Sequence, residues 1–243
     1  MKNQSLILLF TGLLASCIQF KTPQSEESVE NDSEIIASDD YYISYDPNEN
    51  KVYHFSDDSK MTGHYVVEKD TVKSEEFYVE NGLLYNTFTT YYPDGSMANT
   101  IQYNNGIKNG EDIFYFKSGK VKRKSEYLNG ELIGKSTEFR EDGSVYMEWE
   151  IENGKSRSKF FENGKLVHEE YDIDYNGQEL GVSRVYDTTG KVKLSLGFIM
   201  VDNTMKEDLL YILDEHDMVV DSVDPNKDRM KAMQLIMSMD KGM

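Results

Sequence analysis

An Asn-Gly pair recurs through the middle of this chain, at Asn81-Gly82, Asn105-Gly106, Asn129-Gly130, Asn153-Gly154 and Asn176-Gly177. The glycine spacings are 24, 24, 24 and 23. Both residue types tolerate positive φ, which the two-residue turn of an antiparallel hairpin requires. A fixed period of this length marks a repeat architecture, with one supersecondary element per unit. A second glycine column follows 13 residues later, at Gly95, Gly119, Gly143 and Gly190. In the fourth unit it falls three residues early, at Gly164, and two extra residues before Gly177 make up most of the difference. A third, patchier column sits four residues after the Asn-Gly turn, at Gly110, Gly134 and Gly181, with Asn86 and Ser158 in that place elsewhere. Asp94-Gly95, Ser118-Gly119, Asp142-Gly143 and Thr189-Gly190 mark the alternate turns, so each unit holds two short strands.

The residues between the turns have strand character. Val145, Met147, Trp149 and Ile151 alternate with Tyr146, Glu148 and Glu150, a period of two. An apolar residue stands two places after each second glycine: Met97, Val121, Val145, Leu166 and Val192. An aromatic residue stands nine places after the Asn-Gly glycine, at Tyr91, Tyr115, Phe139 and Tyr186, with Phe160 in that slot of the shortened unit. These columns are expected to stack across strands as a structural ladder.

Composition limits what such a repeat can do. The chain has 243 residues, 26 Lys+Arg against 44 Asp+Glu, and a net charge of −18. Its apolar share of 38% predicts a thin core. The charge argues against a surface that holds nucleic acid or anionic lipid heads by its field. A single cysteine excludes an internal disulfide framework and a multi-cysteine metal site.

That cysteine has a particular setting. Met1-Lys2 gives a short basic start, and Leu6 to Ala15 is apolar apart from Thr11 and Gly12. As a helix this run reaches only about 15 Å, half a bilayer core, so it reads as a secretory signal and not a span. It ends in Leu14-Ala15-Ser16-Cys17, which resembles a bacterial lipobox. The resemblance implies cleavage before Cys17 and lipidation of its thiol. Residues 1–16 are then a lipoprotein signal peptide. Residues 17–40 are the lipidated Cys17 and an acidic tether, expected to be disordered because its charge is high and its aromatics few. Its acidic residues also resemble the surface-export signals of Bacteroidetes lipoproteins, with a solvated linker as the simpler reading. The expected location is a bacterial cell envelope, lipid-anchored, the outer membrane before the inner.

Residues 41–203 are read as the repeat sheet. Tyr103 to Gly110 and Tyr127 to Gly134 carry the pattern Tyr-x-Asn-Gly-x-x-x-Gly in slightly different forms. These segments resemble MORN-type repeats, and more closely the variant repeats of bacterial YwqK-type putative antitoxins. The likeness runs over about residues 60 to 203, although the units lack the second glycine of the usual Gly-x-Gly. It implies a mainly β fold: an elongated antiparallel meander built from hairpin repeats, one sheet thick and used for protein contacts.

The flanks complete the expectation. Tyr41 to Phe55 reads as two strands around Asp46-Pro47-Asn48-Glu49-Asn50, and Thr62-Gly63 to Val79 as a degenerate first unit. Residues 204–243 read as a short hairpin, Leu209–Leu213 and Met218–Val223, followed by a helix. Asp224-Pro225 fits its N-cap and first helical position. Met230, Met233, Ile236 and Met237 recur at helical spacing, expected to pack on the repeat end as a cap. An adaptable Met-rich partner surface is the alternative.

Chemical motifs are weak. Gly130 to Ser136 resembles a P-loop but has three residues between its glycines where four are needed. Asp172, Asp174 and Asn176 match the first half of an EF-hand loop, a weak Ca²⁺ candidate, with Ser183 where the bidentate Glu belongs. His168-Glu169 opens a zinc-protease pattern, but Asp172 replaces the second His, and His54, His64 and His216 are scattered. No catalytic residue, cofactor or small-molecule substrate is assigned, and the chain is expected not to be an enzyme. The expected function is an envelope-anchored module that binds a protein partner, basic in character, with no nucleic acid and with membrane contact only through the lipid. An antitoxin or immunity protein is the alternative, and an enzyme with an unrecognised site comes third.

Overall fold

The computed structural model describes residues 33–201 and 204–240. In chain order its strands are β1 (Ser33–Ala37), β2 (Tyr41–Tyr45), β3 (Lys51–Phe55), β4 (Gly63–Lys69), β5 (Val72–Glu80) and β6 (Leu83–Tyr91). Then come β7 (Met97–Asn104), β8 (Ile107–Tyr115), β9 (Val121–Leu128), β10 (Glu131–Leu132), β11 (Lys135–Phe139) and β12 (Val145–Glu152). The rest are β13 (Lys155–Glu162), β14 (Lys165–Tyr175), β15 (Gln178–Tyr186), β16 (Val192–Val201), β17 (Thr204–Leu213), β18 (Val219–Val223) and the helix α1 (Arg229–Asp240). From β4 to β18 the strands pair in chain order as one long open meander, with the two-residue β10 pairing only β9. The mainly β fold is as the repeat predicts.

Two kinds of turn alternate along it. At each Asn-Gly both residues have positive φ, for example Asn105 at 49° and Gly106 at 79°. This is the two-residue turn whose twist matches the strands it joins. The alternate connections are five-residue loops closed by two backbone bonds, such as Tyr92 N to Ser96 O and Gly95 N to Tyr92 O. The irregular fourth unit is explained here. Asn163-Gly164 is itself a positive-φ pair, so a two-residue turn replaces the longer loop, and β14 grows to eleven residues.

The register revises the aromatic column. Tyr91, Tyr115, Phe139 and Tyr186 pair with Met97, Val121, Val145 and Val192, beside the bulge that opens each loop. The column recurs on every second strand, roughly 9.6 Å apart at the strand spacing, so its members clamp loops instead of stacking on each other. In the fourth unit the clamp is Phe161 on Leu166, and Phe160 pairs His168.

Residues that pair directly share a sheet face, so the register assigns both faces. The front face carries Tyr65, Phe77 and Phe88 at one end and Leu196, Phe198 and Leu210 at the other. Both ends of this face are covered. The hairpin of β2 and β3 is a separate two-stranded sheet whose Tyr41, Tyr53 and Phe55 pack with Tyr65, Phe77 and Leu84. Backbone bonds Tyr53 N to Gly82 O and Gly82 N to Met61 O fasten it to the first Asn-Gly turn. At the other end Ala232, Leu235 and Met239 of α1 pack on Val185, Leu196, Leu210 and Val223.

Three boundaries differ from expectation. The acidic tether does not extend to residue 40. Ser33 to Ala37 forms β1, parallel to β4, and buries Ile36 in the first core cluster, because Ile35-Ile36-Ala37 is a strand former that the charge around it obscures. The division at 203/204 does not split the sheet, since β16 pairs β17. The helix starts one turn late. Asp224 holds an isolated turn through Asn226 N and Asp228 N, and Asp228 is the cap, accepting from Lys231 N.

The helix also buries the face opposite to the one expected. Met230, Met233, Ile236 and Met237 are 70%, 47%, 42% and 55% exposed, while the smaller Ala232 sits against the sheet and brings the helix close. Leu235→Ala should therefore cost about 2 kcal/mol by cavity formation, and Met230→Ala less than about 0.5. Urea denaturation of the two variants checks this. Gly82 has φ +82°, and a Cβ there would lie 2.7 Å from Val52 Cγ1. Gly154 has φ +77° with nothing within 4 Å. Gly154→Ala should thus cost only the left-handed strain of about 1–2 kcal/mol, and Gly82→Ala about 1–3 kcal/mol more. Equal thermal shifts would contradict the anchoring of the hairpin at Gly82.

Candidate binding face

Between the two covers the sheet is a single layer, and its faces differ in kind. The back face is an ionic lattice. Glu111 pairs Lys124, Glu148 pairs Lys135, Glu150 pairs Lys159 at 3.3 Å and Glu169 pairs Arg157 at 3.7 Å. At its C-terminal end Arg184 is buried, donating to Ser195 Oγ, Asp214 O and Asp217 Oδ1. Tyr171, Leu180, Val182 and Leu213 are buried beside it, with Leu180 lying over Gly197. Each exposed pair adds little stability, but together they leave the back face locally self-neutralised.

The front face is built otherwise. One cross-strand row runs Ile101, Asp112, Ser125, Ser136, Trp149, Ser158, Glu170 and Ser183. Its neighbour runs Phe114, Arg123, Glu138, Met147, Phe160 and His168. Large side chains thus flank small hydroxyls. Ser125 and Ser136 are buried and hydrogen-bonded to each other at 2.7 Å, and Arg123 lies 4.0 Å over the Phe114 ring. Asp112 is fully buried, and its Oδ2 accepts from Lys108 Nζ at 2.6 Å. Its Oδ1 has no partner among the described residues, an unsatisfied acceptor on this face.

His168 is 4% exposed, stacked on Phe160, with Nε2 2.7 Å from Ser183 Oγ and 3.9 Å from Glu170 Oε1. Its Nδ1 has no partner. Burial pushes its pKa down, outweighing the opposite pull of Glu170 and Glu169. A neutral ring whose N–H points at Ser183 leaves only a bare lone pair unpartnered, the cheaper arrangement.

The motif residues are not brought together. Cys17 lies outside the described residues. Asp172 and Asp174 occupy alternate positions of β14 and Asn176 its turn, so they do not curl around a common point; Asp174 pairs Lys155 at 2.9 Å. Among the described residues no three His, Cys, Asp or Glu side chains form a metal-binding group. Gly130 to Ser136 forms the turn after β9, the short β10 and the start of β11, with no helix to present to phosphate. The Ser183–His168 contact and the buried Asp112 are not visible in sequence spacing, because both depend on which strands lie side by side. No protein-family model matches the chain, and no curated protein matches it.

A histidine with a lowered folded pKa costs stability in acid. Above the unfolded pKa of about 6.5 both states are neutral. Below it the unfolded chain takes up a proton that the folded chain refuses, so stability falls until the folded pKa is reached. The urea midpoint should therefore drop between pH 7.5 and 5.5, and drop less in His168→Gln. Identical drops would assign the acid sensitivity to other groups.

Proposed function

We propose that this chain is a non-enzymatic protein-binding module, anchored in a bacterial cell envelope through lipid on Cys17 and related to MORN-type repeat proteins. The observation that carries the reading is the placement of both covers on one face. The β2–β3 hairpin and α1 bury the ends of the front face, and among the described residues no element covers its central aromatic and hydroxyl rows, while the back face pairs most of its carboxylates with cations. The half-buried Met147, Trp149 and Phe160 and the exposed Ile151, neighbours on β12 and β13, offer the large anchors that dominate interface energetics. The net charge of −18 favours and steers a basic partner. An immunity protein is this same module with an incoming toxin as its partner.

The chain from Ile18 onward, immobilised and exposed to envelope extract, provides the test, with affinity for the recovered protein then measured by titration. Ile151→Arg places a cation on the front face, where Ile151 is exposed opposite Ser156, and should weaken binding at least tenfold. Glu126→Arg on the back face should change it less than twofold. The reverse order would place the interface on the other face and remove this reading.

A further inference from the structure

One cleft on the front face is charged and unneutralised. It has a volume of about 420 Å³ and lies beside the end of the surface covered by α1. Its lining comes from two adjacent cross-strand rows: Ser158, Glu170 and Ser183 in one, Ser156, Asp172, Gly181 and Phe198 in the other. Resting on the protein-binding reading above, we propose that this cleft receives the guanidinium or ammonium group of an arginine or lysine side chain carried by the partner.

Four features support a cation. Glu170 and Asp172 are two residues apart on one strand face, so their carboxylates flank one opening about 7 Å wide at the backbone. Among the described residues no lysine or arginine pairs with either, in contrast to Glu111, Glu148, Glu150 and Glu169 on the back face. Three serine hydroxyls line the opening; that of Ser156 donates to Asp172 Oδ2 at 3.3 Å, and the lone pairs of all three remain as acceptors. One of them, Ser183, is held from the neighbouring row of the same face by the buried His168 at 2.7 Å, a ring that burial keeps neutral and that brings no competing charge. Phe198 supplies an apolar wall for the aliphatic stem and a ring face for the cation. The depth comes from Gly181, which lies inside β15 directly between Asp172 and Phe198 in register. That glycine is not among the positive-φ residues, so the backbone does not demand it; the missing side chain is what opens the cleft.

The test uses the full chain and two capped pentapeptides, Ser-Ser-Arg-Ser-Ser and the same peptide with citrulline, which keeps the shape and removes the charge. Backbone amide signals of Gly181 and Ser183 should move on titration with the arginine peptide and stay still with citrulline. Glu170→Gln with Asp172→Asn should weaken the arginine peptide at least tenfold. Glu126→Gln with Glu131→Gln, the same loss of charge on exposed residues away from the cleft, should change it less than twofold. Equal weakening by both pairs would reduce the effect to the general acidic field and overturn the cleft. Absence of movement at Gly181 and Ser183 would overturn it directly. If Ile151→Arg still abolishes partner binding in that case, the protein-binding reading survives without the cleft; if Ile151→Arg is also silent, both fail.

Discussion

A sheet one layer thick depends on its backbone ladder, because the usual device for fixing strand register is missing. Where a sheet packs on a second layer, a slip of one residue turns the apolar side outward and is strongly penalised. Between β7 and β13 no element among the described residues covers either face, so that penalty is small. Register must come from the turns. A two-residue turn with positive φ at both positions admits only one pairing of the residues it joins, and Asn-Gly supplies it at each step. The longer loops do the same through paired backbone bonds and an aromatic clamp on the apolar residue across the bulge.

The two covers follow from the same constraint. A repeat sheet without a core is least secure at its ends, where each last strand has one neighbour. Both ends therefore carry the chain's concentrated apolar packing, Phe77 with Tyr53 and Met61 at one, Leu196 with Val185 and Met239 at the other. The outermost strands are five residues each, short enough to limit pairing with another chain. The parallel β1 extends the sheet by a strand that the sequence period alone does not include, with the β2–β3 hairpin lying between it and β4 in the chain.

What was legible in the sequence divides along physical lines. Turn chemistry is local, and the two glycine columns give two hairpin-joined strands per unit from φ requirements, while the meander order was what the resemblance to MORN-type repeats implied. Features decided by packing were not legible. Hydropathy favoured the methionines as the buried stripe of α1, but closeness of approach favoured Ala232 and Leu235, and the methionines were left outside. The charge of residues 17–40 concealed the strand at Ile35-Ile36. Asp172 and Asp174 looked like the start of a wrapped loop, yet a strand separates alternate residues where an ion site gathers them. The contact of His168 with Ser183 joins neighbouring strands fifteen residues apart and has no signature in either residue's surroundings.

The distribution of charge then separates the faces more sharply than hydrophobicity does. A chain at −18 repels itself, and the back face limits this by setting Glu111, Glu148 and Glu150 each against a lysine one strand away, although Glu126 lies directly opposite Glu111. The alternation of side chains along a strand forces the front face to take the remaining positions, and there the chain places serines, aromatics and the two unpaired carboxylates of β14. A negative field screened over about 8 Å in physiological salt acts from both faces at a distance, while at contact range Glu170 and Asp172 of the front face have no lysine or arginine partner among the described residues. In the proposed binding module, long-range attraction and short-range selectivity would thus be carried by different residues, so that salt would alter the rate of encounter while leaving the discrimination at the face largely intact.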